Sequence, residues 1–142
     1  YGGDVRAKVG ATTAWMLQQL KSIPKNKLKT YDYVIIMGGG NDAWQSVNKT
    51  PAVKNLLQMY NYVETNGKKG VKIIGITPPN KEWTNKSYPS NDAIGQFVMS
   101  NDKLFHKIDL RTAPKKAFGE DKLHLNSYAH NIITNDLIKV IK

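Results

Sequence analysis

Short, continuous runs of apolar residues alternate along this chain with longer segments whose apolar residues recur at helical spacing. The run Val34–Met37 contains several β-branched side chains. Such a run suits a strand that is covered on both faces, as in a parallel sheet. Three other segments are predicted to be strands: Asp4–Val9, Val71–Thr77 and His106–Leu110. Because strands alternate with helices, the pattern predicts an α/β fold with a parallel sheet and helices on both faces.

Four segments have the apolar spacing of helices, and three of them are bounded by a residue that commonly begins, caps or ends a helix. They are Ala14–Lys21 with Thr12 or Thr13 as N-cap, a helix from Pro51 to Gly67, Asn91–Leu104, and a last helix capped by Ser127. The buried stripe of the last helix is predicted to comprise Tyr128, Ile132, Ile133, Leu137, Ile138 and Ile141. The predicted loops are Ala43–Thr50, Lys81–Ser90 and Thr112–Asp121.

The length and composition indicate a single domain over residues 1–142. A chain of 142 residues is long enough to bury a core. It contains no cysteine, so neither disulfides nor thiolate metal sites can form. No apolar run reaches the length of a membrane span and no signal peptide is visible. The chain opens with Tyr1 rather than Met, and we therefore expect further residues upstream.

The chain is basic, with a formal net charge of +10 from 21 basic and 11 acidic residues. All of the basic residues except Arg6 and Arg111 are lysines, and they are scattered along the sequence. Recognition of bases and phosphates favours arginine, whereas lysine supplies diffuse charge. The composition therefore favours a solvated basic surface over a nucleic-acid interface. Attraction to a polyanion such as a cell-wall polymer remains the functional alternative.

The first candidate site follows the predicted strand Val34–Met37, where Gly38, Gly39 and Gly40 precede Asn41 and Asp42. Glycines allow positive φ angles and a close approach of the backbone to a neighbouring group. Ligands of open α/β sheets bind just beyond the carboxyl ends of the strands. An amide and a carboxylate at that place indicate a site, although Gly-rich strand exits and Asn-Asp pairs also form ordinary turns.

The second candidate site lies before the last helix, where Asp121 stands three residues ahead of His124. At this spacing the carboxylate can fold onto the imidazole, fix its tautomer and stabilise the imidazolium, as in a catalytic triad. A hydrogen bond at the start of the helix and half of a metal site are the alternatives. The metal alternative lacks partners, because His106 and His130 have no carboxylates at a suitable spacing. No metal or cofactor is expected.

Taken together, three segments resemble the blocks of the SGNH hydrolases, the family named for its Ser, Gly, Asn and His. They are Val9-Gly10-Ala11-Thr12-Thr13, Gly39-Gly40-Asn41-Asp42 and Asp121-Lys122-Leu123-His124-Leu125-Asn126. The resemblance implies a three-layer α/β/α, flavodoxin-like fold and hydrolysis of esters. It also implies that His124 is the general base, oriented by Asp121. The Gly10 backbone N–H and the Asn41 side chain would hold the oxyanion, and Gly39, Gly40 and Asp42 would line the substrate site.

The family's first block, Gly-Asp-Ser, has no counterpart in this chain. Gly3-Asp4-Val5 has valine where serine belongs and lies too close to Gly10. No serine of the chain follows an apolar strand at a tight turn, as an exposed nucleophile of this type must. The resemblance places the missing strand in the middle of the sheet, beside Val34–Met37. We therefore expect an upstream segment or a separate chain to supply both the strand and the serine.

The sequence favours a serine esterase or deacetylase that acts on ester-linked acyl groups of a carbohydrate, a cell-surface polymer or a small molecule. Trp83 and Tyr88 are candidates for contacting such a substrate, or for covering the core. An extracellular, cell-surface or virion-associated location is favoured. A non-catalytic binding or structural domain that retains the fold is the second hypothesis. Nucleic-acid binding, a third, depends on charge alone.

Overall fold

The computed structural model describes residues 3–46, 49–79, 88–120 and 124–141, except for the side chains of residues 46, 88 and 89. Its helices are α1 (Thr13–Ser22), α2 (Lys25–Leu28), α3 (Gly40–Ser46), α4 (Lys49–Asn66), α5 (Tyr88–Met99) and α6 (Ser127–Val140). Its strands are β1 (Tyr33–Met37), β2 (Lys72–Ile76) and β3 (His106–Ile108), and a 3₁₀ turn spans Lys115–Ala117.

The three strands form a parallel sheet in the order β1-β2-β3. Ile35 lies opposite Ile74, which in turn lies opposite His106. The predicted parallel sheet is confirmed, and each of its strands coincides with one of the predicted apolar runs. The carboxyl ends of all three strands meet at one edge of the sheet, so that the loops that follow them can converge.

One face of the sheet packs against helices α1 to α5 and contains the main core. Ile36 of β1 and Ile73 of β2 belong to this core. Gly75 of β2 allows a close approach, since a Cβ built there would lie 2.6 Å from Leu104 Cδ1. The fully buried helix residues of this core include Leu28, Ala43, Ala52, Leu56, Met59, Tyr60, Val63, Ile94 and Val98.

The other face is covered by α6 only in part. Ile133 packs with Ile76 and Ile108, which confirms helices on both faces of the sheet. However, Ile35 and Met37 of β1 are 44% and 39% exposed. Three residues of the predicted buried stripe of α6 are exposed, so the prediction is wrong at these positions. The helix covers β2 and β3 rather than β1. These exposed positions are Tyr128, Ile132 and Ile138.

A groove of about 740 Å³ runs along the outer edge of β1. It is lined by the β1 strand itself, by Met16 and Leu20 of α1, and by Ile141. The prediction of a strand over Asp4–Val9 is wrong, since the structure assigns no strand there. Asp4 instead accepts a hydrogen bond from the Tyr31 hydroxyl and forms an ion pair with Lys27 at 3.4 Å.

Several helix starts differ from the prediction, including that of α5, which begins at Tyr88 and not at Asn91. The described residues of the predicted loop Ala43–Thr50 are helical, because α3 extends to Ser46 and includes a fully buried Ala43, and α4 begins at Lys49. Asn126, rather than Ser127, caps α6, and its Oδ1 accepts a hydrogen bond from the Ala129 N–H at 3.2 Å. Of the two predicted caps of α1, Thr12 and Thr13, the structure has Thr12 as the cap. Its side chain accepts a hydrogen bond from the Trp15 N–H.

Candidate active site

The glycine segment after β1 lies between two helices. A Cβ built on Gly38 would lie 2.4 Å from Met16 Sδ of α1. Gly39 has a φ of 111°, and a Cβ there would lie 2.9 Å from Ile94 Cγ2 of α5. Both positions are too crowded for a side chain without a shift of the neighbour, and Gly39 also needs a backbone angle that other residues rarely adopt. The glycines thus let the backbone turn tightly at the carboxyl end of the sheet.

Asp42 lies in the first turn of α3, and its carboxylate binds the start of α1. Its Oδ1 accepts a hydrogen bond from the Thr13 N–H at 2.8 Å, and its Oδ2 accepts from the Thr13 hydroxyl at 2.6 Å. Asn55 of α4 donates to the same hydroxyl oxygen at 3.1 Å. A carboxylate at a helix N-terminus is favoured by the helix dipole and by the unpaired N–H groups there. Asp42 therefore fixes α1 relative to the glycine segment.

Asn41 joins the same segment to the loop that contains Gly10. Its Nδ2 donates a hydrogen bond to the Ala11 carbonyl at 2.9 Å. Gly10 itself has a φ of 75°, in the left-handed region. A side-chain amide carries two N–H groups, so one N–H of Asn41 can hold the loop while the other donates to a ligand.

His124 is exposed and lies in the short segment before α6. Its carbonyl accepts a hydrogen bond from the Gly119 N–H at 2.9 Å. Asn126 then donates from Nδ2 to the carbonyls of Lys116 and Phe118, at 2.7 and 3.1 Å. These bonds anchor the segment to the 3₁₀ turn, and so they fix the place of His124. Asp121, the predicted partner of His124, lies outside the described residues.

A single cleft of about 570 Å³ collects most of the predicted site residues. Gly10, Gly39, Gly40, Asn41 and His124 all line it, although they come from three distant parts of the sequence. The described residues that line the cleft do not include Asp42, whose carboxylate is bound to Thr13. Trp83 lies outside the described residues, as does the side chain of Tyr88.

Several cleft residues were not predicted from the sequence. Arg6, Lys8, Trp44, Asn91 and His130 also line the cleft. The sequence offered a signal for Trp44 alone, because it follows the Asn41-Asp42 pair closely. The other four are distant in sequence from the predicted site residues or indistinct among similar residues, and only the fold brings them to the cleft. No serine occurs among the described residues that line it.

Neither a metal centre nor a membrane helix is found in the described part of the chain. Within that part, no three His, Asp or Glu side chains come together in a way that could hold a metal ion. None of the described helices combines the length and the apolar character needed to cross a bilayer.

A polar network supports the edge of the sheet beside the cleft. The buried Thr77 hydroxyl accepts a hydrogen bond from the Leu110 N–H at 2.8 Å, just beyond β3. Arg111 donates from Nε and Nη2 to the two oxygens of Asp109, at 3.0 and 2.8 Å, and it also pairs with Asp92 of α5. The hydrogen bonds from Arg111 lower the pKa of the Asp109 carboxyl. The network ties α5 to the sheet.

Comparison with known proteins decides the family. The model of the GDSL-like lipase/acylhydrolase family matches residues 2–132. The chain belongs to this family. It is thus an ester hydrolase of the SGNH type, as its sequence blocks indicated. No curated protein sequence matches the chain at a significant level.

Two solved structures share the fold of this GDSL-like hydrolase. One is a carbohydrate esterase family 3 protein from Talaromyces cellulolyticus, with a TM-score of 0.68 and 19% sequence identity over 94% of this chain and 70% of that one. The other is a mutant of an acetyl esterase with acetate ion, with a TM-score of 0.65 and 19% identity over 92% of this chain and 68% of that one. At this identity the likeness establishes the SGNH hydrolase fold.

Proposed function

We propose that this chain is the larger part of a serine esterase that removes acyl groups, such as acetyl, from a carbohydrate or a cell-surface polymer. His124 is the general base in this proposal, and it later returns the proton to the leaving alcohol. The Gly10 N–H and the Asn41 side chain stabilise the oxyanion of the tetrahedral intermediate. The acetyl and carbohydrate esterases that share the fold support the choice of acyl group and substrate.

The observation that carries the proposal is the single cleft onto which Gly10, Asn41 and His124 all open. A hydrolytic site needs a base and oxyanion donors around one carbonyl, within hydrogen-bond reach of the reacting atoms. Asp121 would accept a hydrogen bond from the His124 ring and orient it. Gly39 and Gly40 would contact the substrate with their backbone. Asp42 would act as a positioning residue, since its carboxylate holds Thr13.

The nucleophile is proposed to come from a segment upstream of Tyr1 or from a second chain. The groove along β1 supports this idea, because β1 is an edge strand of the sheet in the part of the chain that the structure describes, and its Ile35 is 44% exposed. A strand added there would pair with β1 and end at the same edge of the sheet as the glycine segment. The serine at its end would face the cleft that holds His124.

Two variants test the proposed base. In the complete protein, His124→Ala should lower hydrolysis of p-nitrophenyl acetate by at least about a thousandfold, as for the loss of a general base that activates a serine. His106→Gln is the matched control, since it removes an imidazole at the start of β3, outside the cleft, and its rate should stay within about twofold. Hydrolysis by the His124 variant at the wild-type rate would exclude the assignment.

The source of the nucleophile is tested separately with a fluorophosphonate probe. Mass spectrometry of the labelled complete protein should find the probe on a serine outside residues 1–142. Labelling of a serine within these residues would contradict the proposal that another segment supplies the nucleophile, but it would still support esterase activity.

The absence of a serine among the described residues that line the cleft favours one other function. This is a non-catalytic domain that binds carbohydrate with the retained cleft. Such a domain would hydrolyse no ester and react with no fluorophosphonate in its complete form, while still binding an acylated polymer.

A further inference from the structure

The candidate cleft is positively charged. The cations of Arg6 and Lys8 line it. The described residues of its lining include no aspartate and no glutamate. A cleft whose charges all have one sign concentrates ligands of the opposite sign, because its low-dielectric walls focus the field.

Two described carboxylates, Asp42 and Asp4, have main partners other than the cations of the cleft, and Asp121, which the proposed function pairs with His124, lies outside the described residues. Asp42 binds the N–H and hydroxyl of Thr13 with its two oxygens. Asp4 lines the groove along β1, which Arg6 also lines. Asp4 accepts a hydrogen bond from the Tyr31 hydroxyl and pairs with Lys27, and its electrostatic interaction with Arg6 is weaker than these. The main partners of both carboxylates are therefore groups other than Arg6 and Lys8.

Arg6 and Lys8 are held in place by neutral partners. Arg6 Nη1 donates a hydrogen bond to Gln19 Oε1 at 3.3 Å. Lys8 Nζ lies 5.0 Å from the centre of the Trp15 ring, a cation–π contact. In the described parts of the chain neither side chain forms an ion pair with a carboxylate. Both cations keep donors that an anionic ligand could use.

Trp44 adds an apolar surface to the same cleft, where 56% of the residue is exposed. The face of an indole ring is flat and offers a large contact area to a ring-shaped ligand. The cleft thus combines cations with one broad aromatic face.

We infer that the preferred substrate is an acylated carbohydrate that carries negative charge, bound with its anionic groups near Arg6 and Lys8 and a sugar ring near Trp44. This inference depends on the proposed function and specifies its substrate class. Carboxylate and phosphate groups share the required chemistry, so the experiment must compare both.

The experiment measures kcat and KM of the complete protein on three acetate esters: acetylated oligogalacturonate, acetylated phosphodextran and neutral acetylated dextran. The double variant Arg6→Gln/Lys8→Gln should raise KM for at least one of the anionic esters by about three- to tenfold, the range expected for two solvent-screened ion pairs. Added salt should raise the same KM. The KM for neutral acetylated dextran should stay within about twofold, and whichever anionic ester responds identifies the anionic group.

A matched control separates the cleft from the overall charge. Lys54→Gln/Lys69→Gln removes the same charge at exposed positions outside the cleft lining, and it should leave all three KM values unchanged. Equal effects of the two double variants would overturn the inference, as would equal KM changes on neutral and anionic esters. If the wild-type complete protein hydrolysed none of the three esters, the proposed function would be refuted instead. Binding of unacetylated oligogalacturonate, measured by calorimetry with both double variants, would then decide the inference alone.

Discussion

At the scale of single residues, Asn41 has the most specific role in this account. Its side chain holds the Gly10 loop through the Ala11 carbonyl and keeps a second N–H for the oxyanion. In the proposed mechanism the same amide would thus position one oxyanion donor and supply the other.

Replacing Asn41 should therefore affect the transition state more than substrate binding. Asn41→Ala is expected to lower kcat by about 10²- to 10³-fold, the usual effect of losing one oxyanion donor, with little change in KM. Steady-state kinetics of the complete protein on p-nitrophenyl acetate measures both constants. Asn61→Ala, at an exposed position of α4, is the control. A rise in KM at unchanged kcat would contradict the oxyanion role.

Tyr60 offers a test of the core. The residue is fully buried, and its hydroxyl has no hydrogen-bond partner among the described residues. The same burial raises the pKa of Tyr60, since the phenolate would be poorly solvated.

Tyr60→Phe removes this unpaired hydroxyl and should increase the free energy of unfolding by about 1 kcal/mol. Urea denaturation of the complete protein measures the change. Tyr62→Phe, at a half-buried position, should change the free energy by less than about 0.5 kcal/mol. A clear loss of stability in the Tyr60 variant would mean that the hydroxyl has a partner.

At the scale of elements, the turn between β1 and α3 should require glycine at position 39 more strictly than at position 40. Gly39→Ala places a Cβ close to Ile94 at an unfavourable φ, and it should lower the free energy of unfolding by about 1–3 kcal/mol. Among the described residues, a Cβ at Gly40 would meet only Pro78 Cβ at 3.6 Å, so Gly40→Ala should change the free energy of unfolding by less than about 0.5 kcal/mol. Equal effects in urea denaturation would show that the turn is not constrained in this way.

The contact between α5 and the sheet should depend on pH. Because Arg111 lowers the pKa of Asp109 in the folded state, the ionised carboxyl stabilises the fold above its unfolded pKa. This contribution is lost as the pH falls through the lowered folded-state pKa. The stability gap between wild type and Asp109→Asn should therefore be widest at neutral pH and close in acid.

Urea denaturation across this pH range measures the gap. Asp102→Asn, an exposed position before β3, should give a small gap that varies little with pH. A constant gap for Asp109→Asn would argue against the pairing with Arg111.

At the scale of the whole molecule, the sheet and its order of elements could be predicted because the strands are short and continuously apolar. Val34–Met37 lies within β1 for this reason. The strand predicted at Asp4–Val9 was wrong, since its formation depends on a pairing partner that the local pattern does not reveal. The local pattern does not reveal that Ala43 is helical and buried, because its burial arises from packing between helices. Ser127 and Asn126 are equally plausible caps, and only the contacts of Asn126 with the 3₁₀ turn distinguish them.

The site was predicted in part for a similar reason. Gly10, Asn41 and His124 occur in short blocks with a defined order, and the fold brings these positions to one cleft. Arg6 and Lys8 could not be selected among 21 basic residues, because nothing local distinguishes a cation of the cleft from a cation of the surface. The roles of the three block residues remain predictions.

The central claim is that Gly10, Asn41 and His124 act on one acyl carbon attacked by a serine at the end of a strand beside β1. The most direct measurement is a crystal structure of the complete protein after reaction with a fluorophosphonate. We expect the phosphonyl oxygen within about 3 Å of the Gly10 nitrogen and of Asn41 Nδ2, with the His124 ring beside the modified serine. An adduct whose phosphonyl oxygen lies away from both donors would contradict the account.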